Sequence, residues 1–121
     1  MPEILVIEDN PQIREIYAVL MHDWGYRVRS VASTGDAIGL IRSGYTPDAI
    51  VADYNLGGGD TGIAAIRGVE ELLGRPVPAV MISGEESLPD VRLPTIRKPI
   101  AQERLKDAVA GLLEAPPIFL P

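Results

Sequence analysis

Three acidic side chains follow two short apolar runs of the sequence. Glu8 and Asp9 come directly after residues 4–7, and Asp53 comes directly after residues 49–52. If both runs are adjacent parallel strands, their carboxyl ends meet at one edge of a sheet, so the three carboxylates lie together. Like charges held close together repel, and a cation, a proton or an incoming phosphorus centre relieves that repulsion. The sequence therefore predicts metal or phosphoryl chemistry at this edge.

The rest of the chain predicts the elements that bring these acids together. Five short runs, each apolar enough to lie between two layers, alternate with stretches in which apolar residues recur at helical spacing. The predicted strands are residues 4–7, 27–31, 49–52, 79–82 and a weaker 95–97, and the predicted helices are 11–24, 34–42, 63–73 and 105–113. This alternation implies right-handed crossovers and a doubly wound α/β sheet of five parallel strands, which binds ligands at the carboxyl ends of its strands.

The first predicted helix carries an apolar stripe. Asn10 is placed to cap this helix, and Pro11 lies in its first turn, where proline is tolerated. Ile13, Ile16 and Tyr17 recur at helical spacing along it. Because such a stripe normally packs inward, we predict these three residues as core, with a docking face for a partner as the alternative.

Two more polar side chains belong to the same edge of the sheet. Ser83 follows the fourth predicted strand, and Lys98 follows the fifth. Glu8 and Asp9 can then hold Mg²⁺, which usually takes one or two carboxylates plus a phosphoryl oxygen. Asp53 is left as a nucleophile of the kind that forms an aspartyl phosphate. The Lys98 ammonium and the Ser83 hydroxyl would face the phosphoryl oxygens.

Each of these residues has a plainer interpretation when it is taken alone. Asp9 is also suited to cap the first helix, Asp53 to a turn, and Ser83 and Lys98 to a turn hydroxyl and a solvated charge. Their joint placement at four strand ends favours the phosphoacceptor. An aspartate-nucleophile phosphatase of another fold would need a further acid two residues after the nucleophile, where this chain has Asn55.

Residues 57–62 also fit the pattern G-x-G-x-x-G, which after a strand and before a helix suggests dinucleotide binding. That fingerprint belongs on the first βα turn of a sheet, whereas this segment follows the third predicted strand. Asp53 would also crowd a pyrophosphate there. The dinucleotide interpretation is therefore disfavoured.

Four segments, in this order, carry a resemblance to a known family. They are Ile-Glu-Asp-Asn at 7–10, Asp53 after an apolar strand, Ser83-Gly84 after residues 80–82, and Lys98-Pro99. Together they resemble the receiver domains of two-component systems, and the resemblance covers nearly the whole chain. It implies a flavodoxin-like sheet with strand order 2-1-3-4-5. It also implies transfer of a phosphoryl group onto Asp53 from a phosphohistidine of a histidine kinase or a phosphotransfer domain.

The same resemblance implies roles for individual residues. Mg²⁺ would be bound directly by Asp9, by Asp53 and by the backbone carbonyl of Asn55, and largely through water by Glu8. Asn55 and Glu85 would occupy the two positions that set the rate of dephosphorylation, in a pair typical of receivers whose phosphate is short-lived. The domain would catalyse its own phosphorylation and dephosphorylation, and we expect no separate turnover activity.

Three features depart from the common receiver pattern. Thr95 stands where receivers usually carry an aromatic residue, and Gly57 stands in place of a proline in a loop that residues 57–59 lengthen by one residue. Only the ten residues 84–93 are available for the fourth crossover, so we predict that its helix is shortened or missing, since an average helix takes about 11 to 12 residues. With Arg97, these features resemble the C-terminal receivers of hybrid histidine kinases. A stand-alone single-domain response regulator and a non-phosphorylated interaction module are the alternatives.

Composition limits the other classes of function. The chain has 121 residues and a net charge of −6, so its surface should repel nucleic acid. The absence of cysteine excludes disulfides and thiolate metal sites, and the single histidine, His22, excludes a multi-histidine zinc site. The apolar stretch near Met1 is too short for a signal sequence or a membrane span, so we expect a cytoplasmic protein.

We predict one receiver domain over residues 1–114, followed by a proline-rich apolar tail or linker remnant over 115–121. The sequence does not set the oligomeric state.

Overall fold

Strands and helices alternate along the chain as predicted, with one additional hairpin. The computed structural model describes residues 1–84 and 93–114. In chain order the elements are β1 (Glu3–Ile7), α1 (Pro11–Asp23), β2 (Arg27–Val31), α2 (Thr34–Arg42), β3 (Ala49–Asp53), β4 (Asn55–Gly57), β5 (Asp60–Thr61), α3 (Gly62–Leu73), β6 (Ala79–Ser83), β7 (Thr95–Arg97) and α4 (Gln102–Glu114). Every predicted strand and helix is present, with ends within a few residues of those predicted.

The main sheet has five parallel strands in the order β2-β1-β3-β6-β7. When only the strands of this sheet are counted, this is the predicted order 2-1-3-4-5, so the doubly wound, flavodoxin-like fold class is confirmed. β1 pairs with β2 on one side and with β3 on the other, which makes the β1–β3 pair the topological switch point. Glu8 follows β1 and Asp53 ends β3, so these acids stand at the place where such sheets bind ligands.

Two apolar layers cover the two faces of the sheet. Successive side chains of a strand point to opposite faces. Leu5 and Ile7 accordingly pack with residues of α2 and α3, whereas Ile4 and Val6 pack with residues of α1 and α4. β3 and β6 are buried along their whole length. This double-sided core determines where the strands end, and therefore where the acids stand.

The predicted cap of α1 is confirmed. Asn10 Oδ1 accepts hydrogen bonds from the N–H groups of Gln12 and Ile13 at 2.9 and 3.2 Å. These bonds satisfy donors that have no partner within the helix. The alternative in which Asp9 caps the helix is therefore wrong, and the Asp9 carboxylate is left for the sheet edge.

The core prediction for α1 is correct for one residue and wrong for another. Tyr17 and Met21 are buried and Ile13 is partly buried, but Ile16 is 56% exposed. The buried positions are spaced by four residues, so Ile16 lies about 100° around the helix from Tyr17. The docking-face alternative therefore stays open for Ile16.

The prediction that every strand lies between two layers is wrong for β2. Arg27, Arg29 and Ser30 are exposed, and Val28 and Val31 are only partly buried. The physical reason is position, because β2 stands at the end of the strand order. Charged residues on an edge strand discourage pairing with another chain.

The segment after β3 forms a two-stranded antiparallel hairpin that the sequence did not predict. β4 and β5 pair Asn55 with Thr61 and Gly57 with Asp60. Residues 57–59 have φ angles of 83°, 60° and 85°, which glycine adopts without the steric cost that other residues meet. The glycine run therefore serves a tight turn.

Two predictions concern residues outside the described ranges. The shortened crossover between β6 and β7 falls largely on residues 85–92, which include Glu85, and the predicted tail is 115–121. Within residues 1–84 and 93–114, no helix is long and apolar enough to cross a membrane.

Candidate functional site

A cleft opens at the carboxyl edge of the sheet, beside the switch point. Its volume is about 390 Å³. Its lining includes every predicted site residue that lies in the described part of the chain, namely Glu8, Asp9, Asp53, Asn55, Ser83 and Lys98. The structure thus brings together residues that the sequence placed after four separate strands.

The turn between β1 and α1, which carries Glu8 and Asp9, is held from two sides. The Glu8 N–H donates to the Val31 carbonyl at 3.0 Å, and Arg14 Nη1 donates to the Glu8 carbonyl at 2.9 Å. Sequence reasoning missed Arg14. The sequence offered a signal for this contact. Arg14 lies one turn after Asn10, the cap of α1, and a helical side chain leans over the turn that precedes it.

The three carboxylates form a tight group. One oxygen from each of Glu8, Asp9 and Asp53 lies within 4.8 Å of the others. Glu8 is 1% exposed and Asp53 is 6% exposed, whereas Asp9 is exposed. Among the described residues, Glu8 Oε2 is the buried side-chain atom that lacks a hydrogen-bond partner. An unpartnered buried acceptor costs free energy, so a proton or a bound ligand at this point would stabilise the fold.

The chemistry of the donor set suits Mg²⁺. The group offers carboxylate oxygens, and Asn55, with its amide and carbonyl oxygens, lines the same cleft. Mg²⁺ prefers oxygen ligands and keeps several bound waters. Water can reach an ion held by Asp9 because this side chain is exposed. The group contains no histidine or cysteine, the ligands that zinc sites in proteins usually contain.

Burial, together with the neighbouring Asp53, raises the pKa of Glu8 to about 7. Burial is the largest cause, and the hydrogen bond and charge of Asp53 come next; the Lys98 ammonium opposes them, and Asp9 adds a smaller increase. The pKa of Tyr17 is raised to about 12 by its burial and by the charges of Glu8 and Asp53. Without a cation in the cleft, Glu8 therefore carries a proton over much of the acidic to neutral range.

The metal-free protein is expected to lose stability as Glu8 ionises. The pKa of Glu8 is about 7 in the folded protein and 4.5 without perturbation. Between these values the folded state binds more protons than the unfolded state, so the free energy of unfolding falls as the pH rises. The fall should be on the order of 3 kcal/mol, since the two pKa values differ by about 2.5 units and one unit corresponds to about 1.4 kcal/mol. Denaturant titrations in a chelator, from about pH 4.5 to pH 8, measure it.

Glu8→Gln is the control for this titration because the amide is neutral at every pH in the range. Its free energy of unfolding should lack the fall attributed to Glu8. The same pH dependence in both proteins would contradict the raised pKa.

Lys98 brings a cation to Asp53. Its Nζ lies 3.3 Å from Asp53 Oδ2. The Lys98 backbone N–H donates to the Ser83 carbonyl at 2.8 Å, which keeps the two residues side by side. Ser83 is 1% exposed and lines the cleft, and the Lys98–Pro99 peptide bond is cis. An ammonium and a hydroxyl thus share the cleft with the carboxylates.

Two glycines lie against the acids. A Cβ on Gly57 would stand 3.3 Å from Asp9 Oδ2, and a Cβ on Gly62 would clash with the backbone carbonyl of Asp53. Sequence reasoning missed the requirement for glycine at position 62. The sequence offered one signal. Gly62 comes directly after Thr61, which caps α3, and a capping threonine does not require glycine at the next position.

Asn55 and Thr95 are the remaining positions of interest within the described residues. Asn55 is exposed, and its Oδ1 accepts from the Gly57 N–H at 2.9 Å. Glu85, the other residue assigned to dephosphorylation, lies outside the described residues. Thr95 is partly buried, and its Oγ1 donates to the Leu93 carbonyl at 3.2 Å, so a hydroxyl takes the place usual for an aromatic ring.

The G-x-G-x-x-G segment does not form a phosphate-binding turn. Residues 57–61 lie in the β4–β5 hairpin, and the Gly62 N–H donates to the Tyr54 carbonyl at 2.9 Å. That N–H is therefore engaged within the protein. The adjoining cleft carries three carboxylates, which would repel a pyrophosphate. The geometry argues against dinucleotide binding.

Known protein structures share this architecture. The response regulator receiver protein from Sinorhizobium medicae WSM419 is 27% identical, with a TM-score of 0.80, over 94% of this chain and 95% of that chain. The receiver domain from the hybrid histidine kinase CckA is 26% identical, with a TM-score of 0.78, over 93% of this chain and 99% of that chain. The Vibrio cholerae chemotaxis protein CheY4, at 22% identity, shares the fold with a TM-score of 0.82 over 93% of this chain and 99% of that chain.

Sequence comparison identifies the family. No curated protein sequence matches the chain significantly. The family model for the response regulator receiver domain matches residues 4–110. Receiver domains generally bind Mg²⁺ at an acidic cluster and interact with histidine kinases or phosphotransfer partners. Since the match spans most of its length, the chain belongs to the response regulator receiver domain family of two-component signalling.

Proposed function

We propose that Asp53 is the phosphoacceptor of a magnesium-dependent receiver that takes a phosphoryl group from a phosphohistidine. The observation that carries this proposal is the pairing of buried Asp53 with Lys98 Nζ at 3.3 Å, beside two further carboxylates. Phosphoryl transfer requires a placed nucleophile and positive charge around the transferred group. The intact residue set also argues against a non-phosphorylated interaction module, for which loss of one of these residues would be expected.

In the transfer step, a carboxylate oxygen of Asp53 attacks the phosphorus atom of the donor. A P–O bond forms, the P–N bond to the donor imidazole breaks, and the electron pair of that bond returns to the imidazole nitrogen. Negative charge is spread over the three equatorial phosphoryl oxygens. The Lys98 ammonium neutralises part of this charge, and the Ser83 hydroxyl donates a hydrogen bond to a phosphoryl oxygen.

The three acids would bind the metal in different ways. Asp9, Asp53 and the Asn55 backbone carbonyl would hold Mg²⁺ directly, and Glu8 would hold it through water. When bound, the ion supplies the positive charge that lets phosphoryl oxygens approach the acids. Glu8 Oε2, buried and without a partner among the described residues, is suited to accept a hydrogen bond from such a water. Glu8 therefore needs no direct bond to the ion.

Asn55 and Glu85 are proposed to govern the return to the unphosphorylated state. A water oxygen attacks the phosphorus, the P–O bond to Asp53 breaks, and inorganic phosphate leaves. Asn55 is exposed and lines the cleft, and Glu85 follows Gly84, which also lines it. Polar groups at both positions would attract water to the cleft, which supports a short-lived phosphate.

We also propose that the chain is the C-terminal receiver of a hybrid histidine kinase. Its likeness to the receiver of the hybrid kinase CckA, 26% identical over 99% of that domain, supports this context. A stand-alone single-domain response regulator is the alternative. The Sinorhizobium medicae response regulator receiver protein is similar to about the same degree, so identity alone does not favour the hybrid kinase. A cytoplasmic location and the absence of direct nucleic-acid binding stay predictions.

An exposed apolar patch on α1 supports docking of a protein phosphodonor beside the cleft. Ile16 and Val19 are 56% and 53% exposed, and Ile13, one turn before Ile16, lines the cleft. Exposed apolar patches beside polar residues mark protein interaction sites more often than scattered single residues do. A donor that covers Ile16 and Val19 would thus bring its phosphohistidine near Asp53.

Two phosphodonors test this function and its docking face together. With Mg²⁺, the wild-type chain should accept phosphoryl groups both from acetyl phosphate and from a phosphorylated histidine phosphotransfer domain. Ile16→Ser should slow transfer from the protein donor about tenfold, because truncating a central interface residue commonly costs more than 1 kcal/mol. Transfer from acetyl phosphate should not change, since Ile16 does not line the cleft in which this small donor reacts. Rapid-quench measurement of the phosphorylated chain gives both rates.

Leu72→Ser is the matched control, because Leu72 is also a large exposed residue, 44% exposed, but lies on α3. It should leave both rates unchanged. Equal rates for Ile16→Ser and wild type with the protein donor would reject the docking face. Failure of wild type with both donors would reject the proposed function.

A further inference from the structure

The β4–β5 hairpin is tied to the start of α2 by one carboxylate. Asp60 Oδ2 accepts from the Thr34 N–H at 2.9 Å, and Asp60 Oδ1 accepts from the Thr34 hydroxyl at 2.6 Å and from the Thr61 N–H at 3.0 Å. Thr34 is 26 residues away in the sequence and follows β2, the edge strand. Asp60 is therefore a tertiary link between two loops at the carboxyl edge of the sheet.

The linked hairpin forms one wall of the acid cleft. Its β4 strand carries Asn55 and Gly57, both of which line the cleft. Gly57 pairs with Asp60 across the hairpin and lies so close to Asp9 that a Cβ would be 3.3 Å from its carboxylate. One residue pair, Gly57 with Asp60, therefore joins Asp60 to the backbone beside Asp9.

The turn itself provides little rigidity. A Cβ built on Gly58 or Gly59 would meet no atom within 4 Å, so packing does not hold the tip of the hairpin. Glycine also gives the chain more conformational freedom than any other residue. On the β4 side, Leu56 is 5% exposed and anchored in the core, whereas Asp60 provides the polar anchor on the β5 side.

We propose that Asp60 is a positioning residue that holds the β4–β5 hairpin against the acid cleft and thereby sets the affinity of the site for Mg²⁺. This inference rests on the proposed function, since it takes the acid group to be the metal site. Asp60 acts only through the hairpin, which carries Asn55 and the Gly57 backbone. Groups that orient the residues around a metal typically change its affinity by about 10- to 100-fold when they are removed.

The ionisation of Asp60 supports this role. Burial alone would raise its pKa, but the hydrogen bonds from Thr34 and Thr61 outweigh burial and lower the pKa. The carboxylate is thus charged throughout the neutral range. It also lies at the N-terminus of α2, where a negative charge is favoured by the helix dipole.

Substitution at Asp60, with two readouts, tests the proposal. Asp60→Ala should weaken Mg²⁺ binding about tenfold in a calorimetric titration. In the same variant without metal, amide hydrogen exchange at residues 57–59 should become faster, because the hairpin is released. Asp60→Asn, which keeps one carbonyl acceptor, should fall between Asp60→Ala and wild type. Asp36→Asn is the charge control, because it removes an exposed acid in the first turn of the same helix without removing this link.

A double-mutant cycle identifies the partner of Asp60. Thr34→Val removes the hydroxyl donor and should weaken Mg²⁺ binding on its own. In the Asp60→Ala background it should have little further effect, since the two residues act through one contact. Full additivity of the two changes would show that Asp60 does not act through Thr34 and would overturn the proposed link.

The outcomes separate this inference from the proposed function. Faster exchange together with weaker Mg²⁺ binding in Asp60→Ala supports it. Faster exchange with unchanged Mg²⁺ affinity would make Asp60 purely structural and overturn the inference, while the proposed function would stand. If the wild-type chain binds no Mg²⁺, the proposed function fails, and the inference fails with it.

Discussion

The Asp53→Asn variant is expected to accept no phosphoryl group from any donor. The amide keeps the shape of the side chain but is neutral and a far weaker nucleophile than a carboxylate, so the P–O bond cannot form at this position. With Mg²⁺ and acetyl phosphate, incorporation of labelled phosphorus should fall to background. Quantitative autoradiography of the intact chain measures this loss.

Two controls separate loss of chemistry from loss of fold. Asp53→Asn removes one of three crowded carboxylates, so its free energy of unfolding without metal should be no lower than that of wild type. Asp107→Asn removes an exposed acid from α4 and should retain full incorporation. Undiminished label in Asp53→Asn would reject Asp53 as the phosphoacceptor.

The second large effect is expected at Asp9. Asp9→Asn should slow phosphorylation by acetyl phosphate about 100-fold and should weaken Mg²⁺ binding, because a neutral amide replaces a direct carboxylate ligand. Chelation of Mg²⁺ in the wild-type chain should slow the reaction by at least as much. Stopped-flow or quench kinetics across a range of Mg²⁺ concentrations measures both effects.

A substitution at Asp9 should change metal binding without changing the stability of the fold. Its side chain is exposed and does not cap α1, so Asp9→Asn should leave the free energy of unfolding nearly unchanged. Recovery of part of the rate at high Mg²⁺ concentration is expected if binding alone is weakened. A rate within about twofold of wild type at every Mg²⁺ concentration would contradict a ligand role for Asp9.

The sheet and the placement of the acids were predictable because they depend on local patterns. Buried strands of a parallel sheet are nearly continuous apolar runs, and their carboxyl ends share one edge. Residues directly after such runs, as Glu8 follows β1 and Lys98 follows β7, must therefore converge. The strand order, which the resemblance implied, was the only long-range information that this prediction required.

Features that depend on single long-range contacts were not predictable. The Asp60–Thr34 link joins residues 26 positions apart, and nothing in either local sequence specifies the partner. The β4–β5 hairpin arises where three glycines permit positive φ angles, but glycine permits many other turns as well.

The exposure of Ile16 was misjudged for a related reason. Its spacing fits the apolar stripe of α1, and only the packed structure decides which edge of a wide stripe is covered. The arginines of β2 carried a usable signal, because alternating charges on a short strand are typical of an edge.

Direct mapping of the phosphoryl group tests the central claim, that the acid cluster is a magnesium-dependent phosphoacceptor centred on Asp53. The wild-type chain would be treated with acetyl phosphate and Mg²⁺, reduced with borohydride, which converts an aspartyl phosphate to homoserine, and digested for peptide mass spectrometry. The expected result is homoserine at position 53, dependent on Mg²⁺ and absent from Glu8 and Asp9. An unmodified position 53, or modification that forms equally well in a chelator, would contradict it.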